Sequence, residues 1–319
     1  MVKIGFVGCG GIAQEHLKHL RTINDVKIVG VCDAIAARSR AFAAEAGAEV
    51  YADPVSLYDK AKPDAVCVAV PPFAHGAIEE EAAARGIHLF VEKPVAIDMA
   101  VAARVSGAIK RAGILSSAGY CYRYCDTIDT ARALLKGKAV SLVTGAWIGG
   151  LPPTPWWRRR NQSGGQMLEQ TTHLFDLVRY LCGPVQEVHA MVSRGCMSRV
   201  EGFDVDDSSV VVLRLKTGAV ASITSTCIIN HPGRIHLDIV TPEFTLTLNN
   251  GTVRVEEDHR VTEYRSECDK YAEENRAFID AVRTGKKNGI RCTYADAVKT
   301  LQVTCAANES AETGMPVKL

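Results

Sequence analysis

The sequence predicts two domains: a doubly wound α/β domain with a parallel sheet, then an α+β domain with a large, mainly antiparallel open sheet. Three observations predict this fold class. In residues 1–120, short apolar runs alternate with amphipathic or Ala-rich stretches that end at glycines. From residue 185 to 261, nearly every segment has the composition of a strand. At 319 residues the chain is too long for one ordinary core.

In the first domain, 1–120, each apolar run is followed by a helical pattern. Strands are predicted at 3–8, 27–33, 50–51, 65–70, 88–94 and 114–120. Helices are predicted after the first strand and at 34–46, 54–60, 75–85 and 98–111. Strands that are almost wholly apolar and lie between helices are typical of a parallel sheet covered on both faces.

In the second domain, 121–319, helices precede and follow a run of strands. Helices are predicted at 126–135, 164–184, 271–283 and 294–312, with a strand at 139–148 and the strand run at 185–261. Asn249-Asn250-Gly251 is a hairpin signal. Several strands, SSVVVLRL most clearly, are apolar on both faces. We therefore expect a homodimer or homotetramer that packs sheet on sheet, the alternative being that loops cover this face.

Composition excludes several classes of partner. The formal net charge is +1, so neither nucleic acid nor an acidic membrane surface is expected as a partner. No apolar run approaches the roughly 20 residues that span a bilayer. The amino terminus lacks a signal-peptide pattern, and the eleven cysteines are scattered without a CxxC pair. Cysteines used as small apolar residues fit a cytoplasmic protein.

The segment VGCGGIA carries a GxGxxA motif between a predicted strand and a predicted helix. Gly8 permits the tight turn, Gly10 lets the backbone approach a pyrophosphate, and Gly11 and Ile12 open the helix whose N–H groups would bind it. Asp33 ends the second strand, where a carboxylate binds the ribose hydroxyls of NAD. Arg38 nearby leaves NADP open as an alternative.

Two further positions are expected beside the cofactor. Pro71 ends the strand at 65–70, next to the place where the strand order should reverse and where a crevice should form. His75 follows at the start of the next helix. We interpret both as walls of the cofactor site, with a helix-capping role as the alternative for His75.

Glu169, His173 and Asp176 fall on one face if residues 164–184 form a single helix, because steps of four and three residues stack side chains. Such a line could bind a metal, relay a proton or form a solvated surface. No further ligand is evident, so we predict no metal site and favour the proton relay. A histidine suits this task because its ordinary pKa of about 6.5 is close to working pH.

Aromatic and arginine side chains elsewhere suit a polyhydroxylated or charged ligand. Tyr122 and Arg123, in GYCYRY, could reach substrate, with packing as the alternative. Trp157 could stack on a sugar face and Arg158 could bind a phosphate or carboxylate. Core burial of a tryptophan and a solvated arginine run are the competing interpretations.

The chain resembles the Gfo/Idh/MocA oxidoreductase family, named for glucose-fructose oxidoreductase and inositol dehydrogenase. The likeness covers essentially the whole chain, in VGCGGIA, PPFAH, GIHLFVEKP, GYCYRY, the GG…H..D helix and ANESAETGMPVKL. It implies a Rossmann domain, a sheet domain used for oligomer contacts, and NAD(P)-linked oxidation of sugar or cyclitol hydroxyls.

The resemblance also implies roles for single residues. Lys93 is the catalytic lysine, Glu92 lies by the nicotinamide, and His173 and Asp176 match the histidine and the last acid of the pattern D-x-G-x-H-x-x-D. Glu169 and Thr171 depart from that pattern, where the family has Asp and Gly. We expect Glu169 to orient the substrate or tune His173, and Asp176 to hold the imidazole or bind a substrate hydroxyl. The expected function is a dehydrogenase; an NAD-dependent glycosidase and a non-catalytic dinucleotide sensor are the alternatives.

Overall fold

The computed structural model describes residues 1–249 and 251–319, and these residues form two compact units. The first unit contains Met1–Tyr124 and Asp269–Val298, and the second contains Cys125–Cys268 and Lys299–Leu319. The predicted fold class, a doubly wound α/β domain with a second, mainly antiparallel sheet, is confirmed. The described residues contain no helix with the length and apolarity needed to cross a membrane.

In the first unit, a parallel sheet carries helices in the connections between its strands. The strands are β1 (Val2–Val7), β2 (Val26–Cys32), β3 (Glu49–Val50), β4 (Ala65–Val68), β5 (His88–Val91) and β6 (Ser116–Ala118). The helices are α1 (Gly11–Leu20), α2 (Ala36–Ala46), α3 (Pro54–Ala61), α4 (Ala77–Ala84) and α5 (Met99–Ala112), with 3₁₀ turns at Pro72–Ala74 and Cys121–Tyr124. The strand order β3-β2-β1-β4-β5-β6 reverses between β1 and β4. A ligand crevice is expected at that point, outside the carboxyl ends of these strands.

The second unit is built on a sheet with the order β14-β13-β12-β11-β7-β10-β9-β8-β15 in its described residues. These strands are β7 (Leu142–Ile148), β8 (Val185–Ser193), β9 (Ser208–Leu215), β10 (Val220–Thr226), β11 (Arg234–Val240), β12 (Thr245–Asn249), β13 (Thr252–Glu256), β14 (Val261–Arg265) and β15 (Val317–Lys318). All neighbours pair antiparallel except β7 and β10. Asn249 pairs with Thr252 across the predicted hairpin, of which Asn250 lies outside the described residues.

The second half of the chain differs from the prediction in one helix and in the domain to which residues 269–298 belong. They are α6 (Asp126–Leu135), α7 (Arg160–Ser163), α8 (Gln166–Glu169), α9 (Thr172–Cys182), α10 (Lys270–Thr284) and α11 (Tyr294–Thr313), with a 3₁₀ turn at Pro155–Arg158. The predicted single helix at 164–184 is wrong, because the helix breaks between α8 and α9. There Thr171 N–H donates to the carbonyl five residues back, and Leu174 N–H to the carbonyl three residues back.

The second difference concerns residues 269–298. The predicted boundary assigns them to the second domain, whereas they belong to the first compact unit. The physical reason is burial: Phe278 and Ile279 of α10 are part of the same core as Phe6 of β1 and Leu17 of α1. The later unit boundary, at Val298, falls within α11.

Candidate dinucleotide-binding and catalytic residues

The turn after β1 can be made only by glycine at its first position. Gly8 has φ +90°, and a Cβ there would lie 2.3 Å from the carbonyl oxygen of Ala69, which follows β4. Its N–H donates to the carbonyl of Cys32 at the end of β2. The backbone therefore passes between the ends of two neighbouring strands, as a dinucleotide fold requires.

Beyond the turn, the start of α1 is open to a ligand. A Cβ at Gly10 or at Gly11 would meet no atom within 4 Å. Gly10 is the N-cap and provides no side-chain cap, and the first turn contains no acidic residue. The N–H groups at this end and the positive end of the helix dipole are available to an anion. Ile12, partly buried, packs against the core and anchors the turn. The residues present thus fit the pyrophosphate of a dinucleotide.

Asp33 is held beside this turn. Its two carboxylate oxygens accept the backbone N–H groups of Cys9 and Ile35, each at 2.7 Å. Each oxygen retains a lone pair, so the carboxylate can still accept from ribose hydroxyls. Arg38 is exposed on the first turn of α2, and its N–H donates to the carbonyl of Ile35.

The segment after β4 contains Pro71 and His75. The carbonyl of Pro71 accepts the N–H of Ala74 in a 3₁₀ turn. His75 is buried, with Nδ1 2.5 Å from Oε1 of Glu79, whose other oxygen accepts the N–H of Gly76. Glu79 therefore caps the start of the helix, and Nδ1 of His75 holds the Glu79 side chain in place. Nε2 is buried and has no hydrogen-bond partner within the described residues.

Glu92 and Lys93 follow β5, at the same edge of the sheet. The Glu92 side chain is buried; its Oε1 lies 2.8 Å from Nε2 of His16, and its Oε2 accepts the Lys93 N–H at 3.0 Å. A Cβ on Gly119 would lie 2.6 Å from Oε1 of Glu92, so this glycine provides the space that the carboxylate occupies. Lys93 is only partly buried, which lets it meet a ligand at the carboxyl end of the strand.

In the 3₁₀ turn after β6, Arg123 makes contacts inside the first unit. It is 2% exposed; its Nη1 lies 2.6 Å from Oδ2 of Asp296 and donates to the carbonyl of Arg291. These contacts support the packing interpretation of this residue. Tyr122 is partly exposed, with the Lys270 ammonium 4.8 Å from the centre of its ring.

In the second unit, His173 lies in the first turn of α9 and is 8% exposed. Its ring stacks on Trp147 of β7, with centroids 5.9 Å apart and planes 13° apart. The tryptophan therefore fixes the plane of the imidazole. Glu169, at the end of α8, accepts a 2.7 Å hydrogen bond from Nε1 of Trp157.

Asp176 is buried one turn after His173. Its Oδ1 accepts a 2.8 Å hydrogen bond from Oγ1 of Thr300, and Nη1 of Arg179 lies 3.8 Å from the same oxygen. Arg179 donates to Thr300 as well, which closes a small network. These contacts suit a carboxylate that fixes α9 against α11.

Trp157 and Arg158 lie in the 3₁₀ turn before α7. Trp157 is 1% exposed and packs with Val205 and Cys227, which supports core burial as the role of its indole. Arg158 is partly buried, and its Nε has no hydrogen-bond partner within the described residues. That unpartnered donor leaves Arg158 as a candidate for ligand contact.

One cluster among the described residues has the geometry for a metal ion, and it does not include Glu169, His173 or Asp176. Ligand atoms of Glu15, His19 and Asp269 lie within 4.8 Å of one another. The Lys18 ammonium lies 3.1 Å from the same Glu15 oxygen that contacts His19. The Lys18 ammonium beside the Glu15 carboxylate makes this cluster part of an ion-pair network.

Comparison with known proteins decides the family. Residues 2–120 match the model of an oxidoreductase family with an NAD-binding Rossmann fold. Residues 128–254 match the C-terminal domain model of the same family. The chain belongs to the Gfo/Idh/MocA family. Its first unit is therefore an NAD-binding Rossmann fold, as the glycine turn indicates.

Individual Gfo/Idh/MocA proteins match over the whole chain. Myo-inositol 2-dehydrogenase of Thermotoga maritima is 28% identical, with 100% of this chain and 98% of that protein covered. The NAD(+)-dependent scyllo-inositol 2-dehydrogenase of Bacillus subtilis is 25% identical, with 100% and 96% covered. The WlbA dehydrogenase of Bordetella pertussis, solved in complex with NADH and UDP-GlcNAcA, superposes with a TM-score of 0.87 at 22% identity, covering 100% of this chain and 98% of that chain. At that identity the structural likeness establishes the fold.

Sequence reasoning missed the side chains that hold the Gfo/Idh/MocA motif residues in place. They are His16, Trp147, Asn275 and Thr300. A signal existed only for His16, a polar residue on the otherwise apolar side of α1. The others are far in sequence from the residues that they contact.

Proposed function

We propose that this oxidoreductase transfers a hydride between NAD and a hydroxyl-bearing carbon of a sugar, cyclitol or sugar derivative. The observation that carries the proposal is the position of Lys93. This lysine is only partly buried and directly follows buried Glu92 at the carboxyl end of β5. That strand neighbours β4, beside the reversal of strand order. Relatives named as inositol 2-dehydrogenases support this class of substrate.

Three side chains have assigned roles in the reaction. The bound nicotinamide supplies the hydride acceptor. Lys93 donates a hydrogen bond to the substrate oxygen and stabilises the charge that develops there. His173 takes the hydroxyl proton as the general base, in a ring plane that Trp147 fixes. Glu169, held by Trp157, orients the substrate.

The remaining assignments follow from the contacts in each unit. Asp176 positions α9 through Thr300, Arg158, which is partly buried, offers its guanidinium to substrate, and Tyr122 offers its phenol. Asp33 favours NAD, because a carboxylate accepts from the ribose hydroxyls and repels a 2′-phosphate. Arg38, exposed nearby, is the residue through which NADP would be accepted.

The test is a panel of inositols and sugars, read as NADH absorbance. With an active polyol, Lys93→Ala and His173→Ala should each lower kcat/KM by about 10²- to 10⁴-fold while NAD affinity stays within about threefold. Exposed Lys110 and His231 provide matched controls, as Lys110→Ala and His231→Ala. Folded Lys93→Ala and His173→Ala proteins with full turnover would contradict these roles. Tightly retained NAD without net NADH, or NAD binding without turnover, would contradict the dehydrogenase.

We also propose that the chain forms a homodimer or homotetramer through the outer face of the second sheet. The apolar residues of this open face are Leu142, Met191, Val210, Val212 and Val220, all exposed. Strand register brings them together, since Met191 pairs with Val210 and Leu142 with Val220. Exposed apolar side chains grouped on one face of a sheet are the feature that sheet-on-sheet association buries.

We propose a cytoplasmic location from the cysteines. No disulfide joins any cysteine in the described residues. Burial raises the pKa of the Cys9 and Cys32 thiols to about 12, so they remain protonated and inert. Such thiols serve as small apolar residues, which a reducing compartment permits.

A further inference from the structure

A buried hydrogen-bond line leads from α10 to the catalytic lysine of the proposed reaction. It starts at the Tyr271 carbonyl and passes through Asn275, His16 and Glu92 to the Lys93 N–H, with distances of 2.8, 2.9, 2.8 and 3.0 Å. The three intermediate side chains are at most 4% exposed. All members belong to the first unit, and Asn275 is 259 residues from His16 in sequence.

The Asn275 amide determines which group donates and which accepts in the side-chain hydrogen bonds of the line. Its amide nitrogen lies 2.8 Å from the Tyr271 carbonyl, so this end of the amide must be the NH₂ group, since an oxygen there would face another acceptor. The same NH₂ lies 2.9 Å from Nδ1 of His16, which therefore accepts. A neutral imidazole with an accepting Nδ1 carries its proton on Nε2, and that N–H donates to Oε1 of Glu92.

Glu92 is thereby restrained at both of its oxygens. Oε1 accepts from His16, and Oε2 accepts from the backbone of Lys93. The carboxylate also lies against Gly119, where a Cβ would lie within 2.6 Å of Oε1. The ring of His16 is itself fixed edge-on against Phe90 of β5, with centroids 4.7 Å apart. Movement of the ring would therefore be passed to the Lys93 backbone.

We infer that His16 and Asn275 are positioning residues, which set the orientation of the Glu92 carboxylate and through it the backbone of Lys93. This inference rests on the proposed role of Lys93. A displacement of about 1 Å at a reacting group costs on the order of 10²-fold in rate, so the line is expected to act on kcat. Neither residue contacts the substrate in this assignment.

The kinetic test compares two replacements of His16. His16→Leu removes both ring nitrogens, whereas His16→Gln retains an acceptor toward Asn275 and a donor toward Glu92. We expect His16→Leu to lower kcat about 10- to 100-fold with the polyol KM within about twofold, and His16→Gln to recover most of the loss. His19→Gln is the matched control, because His19 is buried on the same helix and its Nε2 lies beside Glu15 and Asp269 rather than Asn275 or Glu92. Unchanged kcat in folded His16→Leu, or no recovery in His16→Gln, would overturn the inference.

A second set of measurements needs no substrate, and its first part uses only the wild-type protein. In ¹⁵N spectra of the histidine-labelled wild-type protein, His16 should have a protonated Nε2 and an unprotonated Nδ1. The Lys93 amide resonance should shift in His16→Leu, return toward its wild-type position in His16→Gln, and stay in place in His19→Gln. A protonated Nδ1 in the wild-type protein, or an unmoved Lys93 amide in His16→Leu, would overturn the inference. A wild-type protein that oxidises no polyol would instead refute the proposed function, and these spectra would still test the line.

Discussion

Two glycines in one turn have different physical tasks. Gly8 combines a left-handed backbone with a neighbour, the Ala69 carbonyl oxygen, that leaves no space for a Cβ. Gly10 has φ −80°, within reach of any residue, and a Cβ there would meet nothing. The first glycine is therefore needed by the fold. In the proposed NAD site the second glycine leaves room for the ligand, because a bound pyrophosphate would occupy the open space beside it.

Alanine at each position should separate these tasks. Gly8→Ala should lower the free energy of unfolding by roughly 1–3 kcal/mol from backbone strain alone, and further through the overlap with Ala69. Gly10→Ala should keep the wild-type Tm and weaken NAD binding by about tenfold or more, because the methyl group holds the pyrophosphate away. Thermal melts and NAD titration by calorimetry measure the two effects.

The Gly10→Ala result has its own control. Gly47→Ala replaces a left-handed C-cap glycine outside the site, so it should lower Tm and leave NAD affinity unchanged. Wild-type NAD affinity in Gly10→Ala would contradict the placement of the pyrophosphate. A wild-type Tm in Gly8→Ala would contradict the steric argument.

The sequence can predict a residue whose place follows from the local pattern. It cannot predict one whose contacts are with residues far away in sequence. Gly8, Asp33 and Lys93 lie at the carboxyl ends of predicted strands, so their place at one edge of the sheet is a matter of local pattern. The contact between His16 and Asn275 can be recognised only when α10 is known to pack on the first sheet. Helical periodicity gives the buried side of α10 but not the helix against which that side packs.

At the scale of elements, the break before α9 is a feature that helical periodicity does not predict. The pattern predicts an unbroken helix through Glu169, His173 and Asp176, whereas Glu169 ends α8 and the other two residues lie on α9. Thr171 is 1% exposed, and its hydroxyl has no hydrogen-bond partner within the described residues. No composition signal marks this break, because it changes the hydrogen-bond spacing by one residue in each direction.

Helix α10 contains a carboxyl group in an unusual environment. Glu274 is fully buried, and neither of its oxygens has a hydrogen-bond partner within the described residues. Burial, and then the charge of Glu92, raise its pKa well above the ordinary value of 4.5. The folded protein therefore keeps a proton that the unfolded chain releases just above pH 4.5.

This difference makes stability depend on pH in a defined direction. From the ordinary carboxyl pKa up to the raised folded pKa, the folded state binds more protons, so the free energy of unfolding falls as pH rises. Glu274→Gln is neutral at every pH and should lose this part of the decline. Melting temperatures between about pH 5 and about pH 8 should therefore fall more steeply for wild type than for Glu274→Gln.

The neighbouring acid on α10 provides the comparison. Glu273 has a side chain that is 40% exposed and paired with Arg276. Glu273→Gln should therefore keep the wild-type slope of Tm against pH. Equal slopes in wild type and Glu274→Gln would mean that Glu274 is ionised in the folded protein.

At the scale of the molecule, the second sheet has one face that its own helices leave open. Buried and exposed residues alternate along β9. Val211, Leu213 and Leu215 are fully buried, whereas Val210 and Val212 are half exposed. The sequence predicts this two-sided apolar character, because SSVVVLRL has few polar residues on either face. It does not predict the number of subunits, which depends on the fit between surfaces of separate chains.

The size of this face suits an oligomer. Nine strands spaced about 4.8 Å apart and about 20 Å long give a surface of roughly 800 Å² or more, the area that each partner of a stable complex contributes. Val210 and Val212 lie near its middle, opposite Thr224 and Ser222 of β10. A pair of lysines there would place desolvated charges inside a sheet-on-sheet contact.

The double substitution Val210→Lys/Val212→Lys should therefore shift the protein to monomers in light scattering coupled to size-exclusion chromatography. Its Tm in dilute solution should lose the concentration dependence that an assembling wild type has. Val55→Lys, which replaces a similarly exposed valine on α3 of the first unit, should keep the wild-type mass. A double variant with unchanged mass, or a wild type that is monomeric at all concentrations, would exclude the open face as the contact. A monomeric double variant that retains NAD affinity would show that the first unit binds its cofactor without this contact.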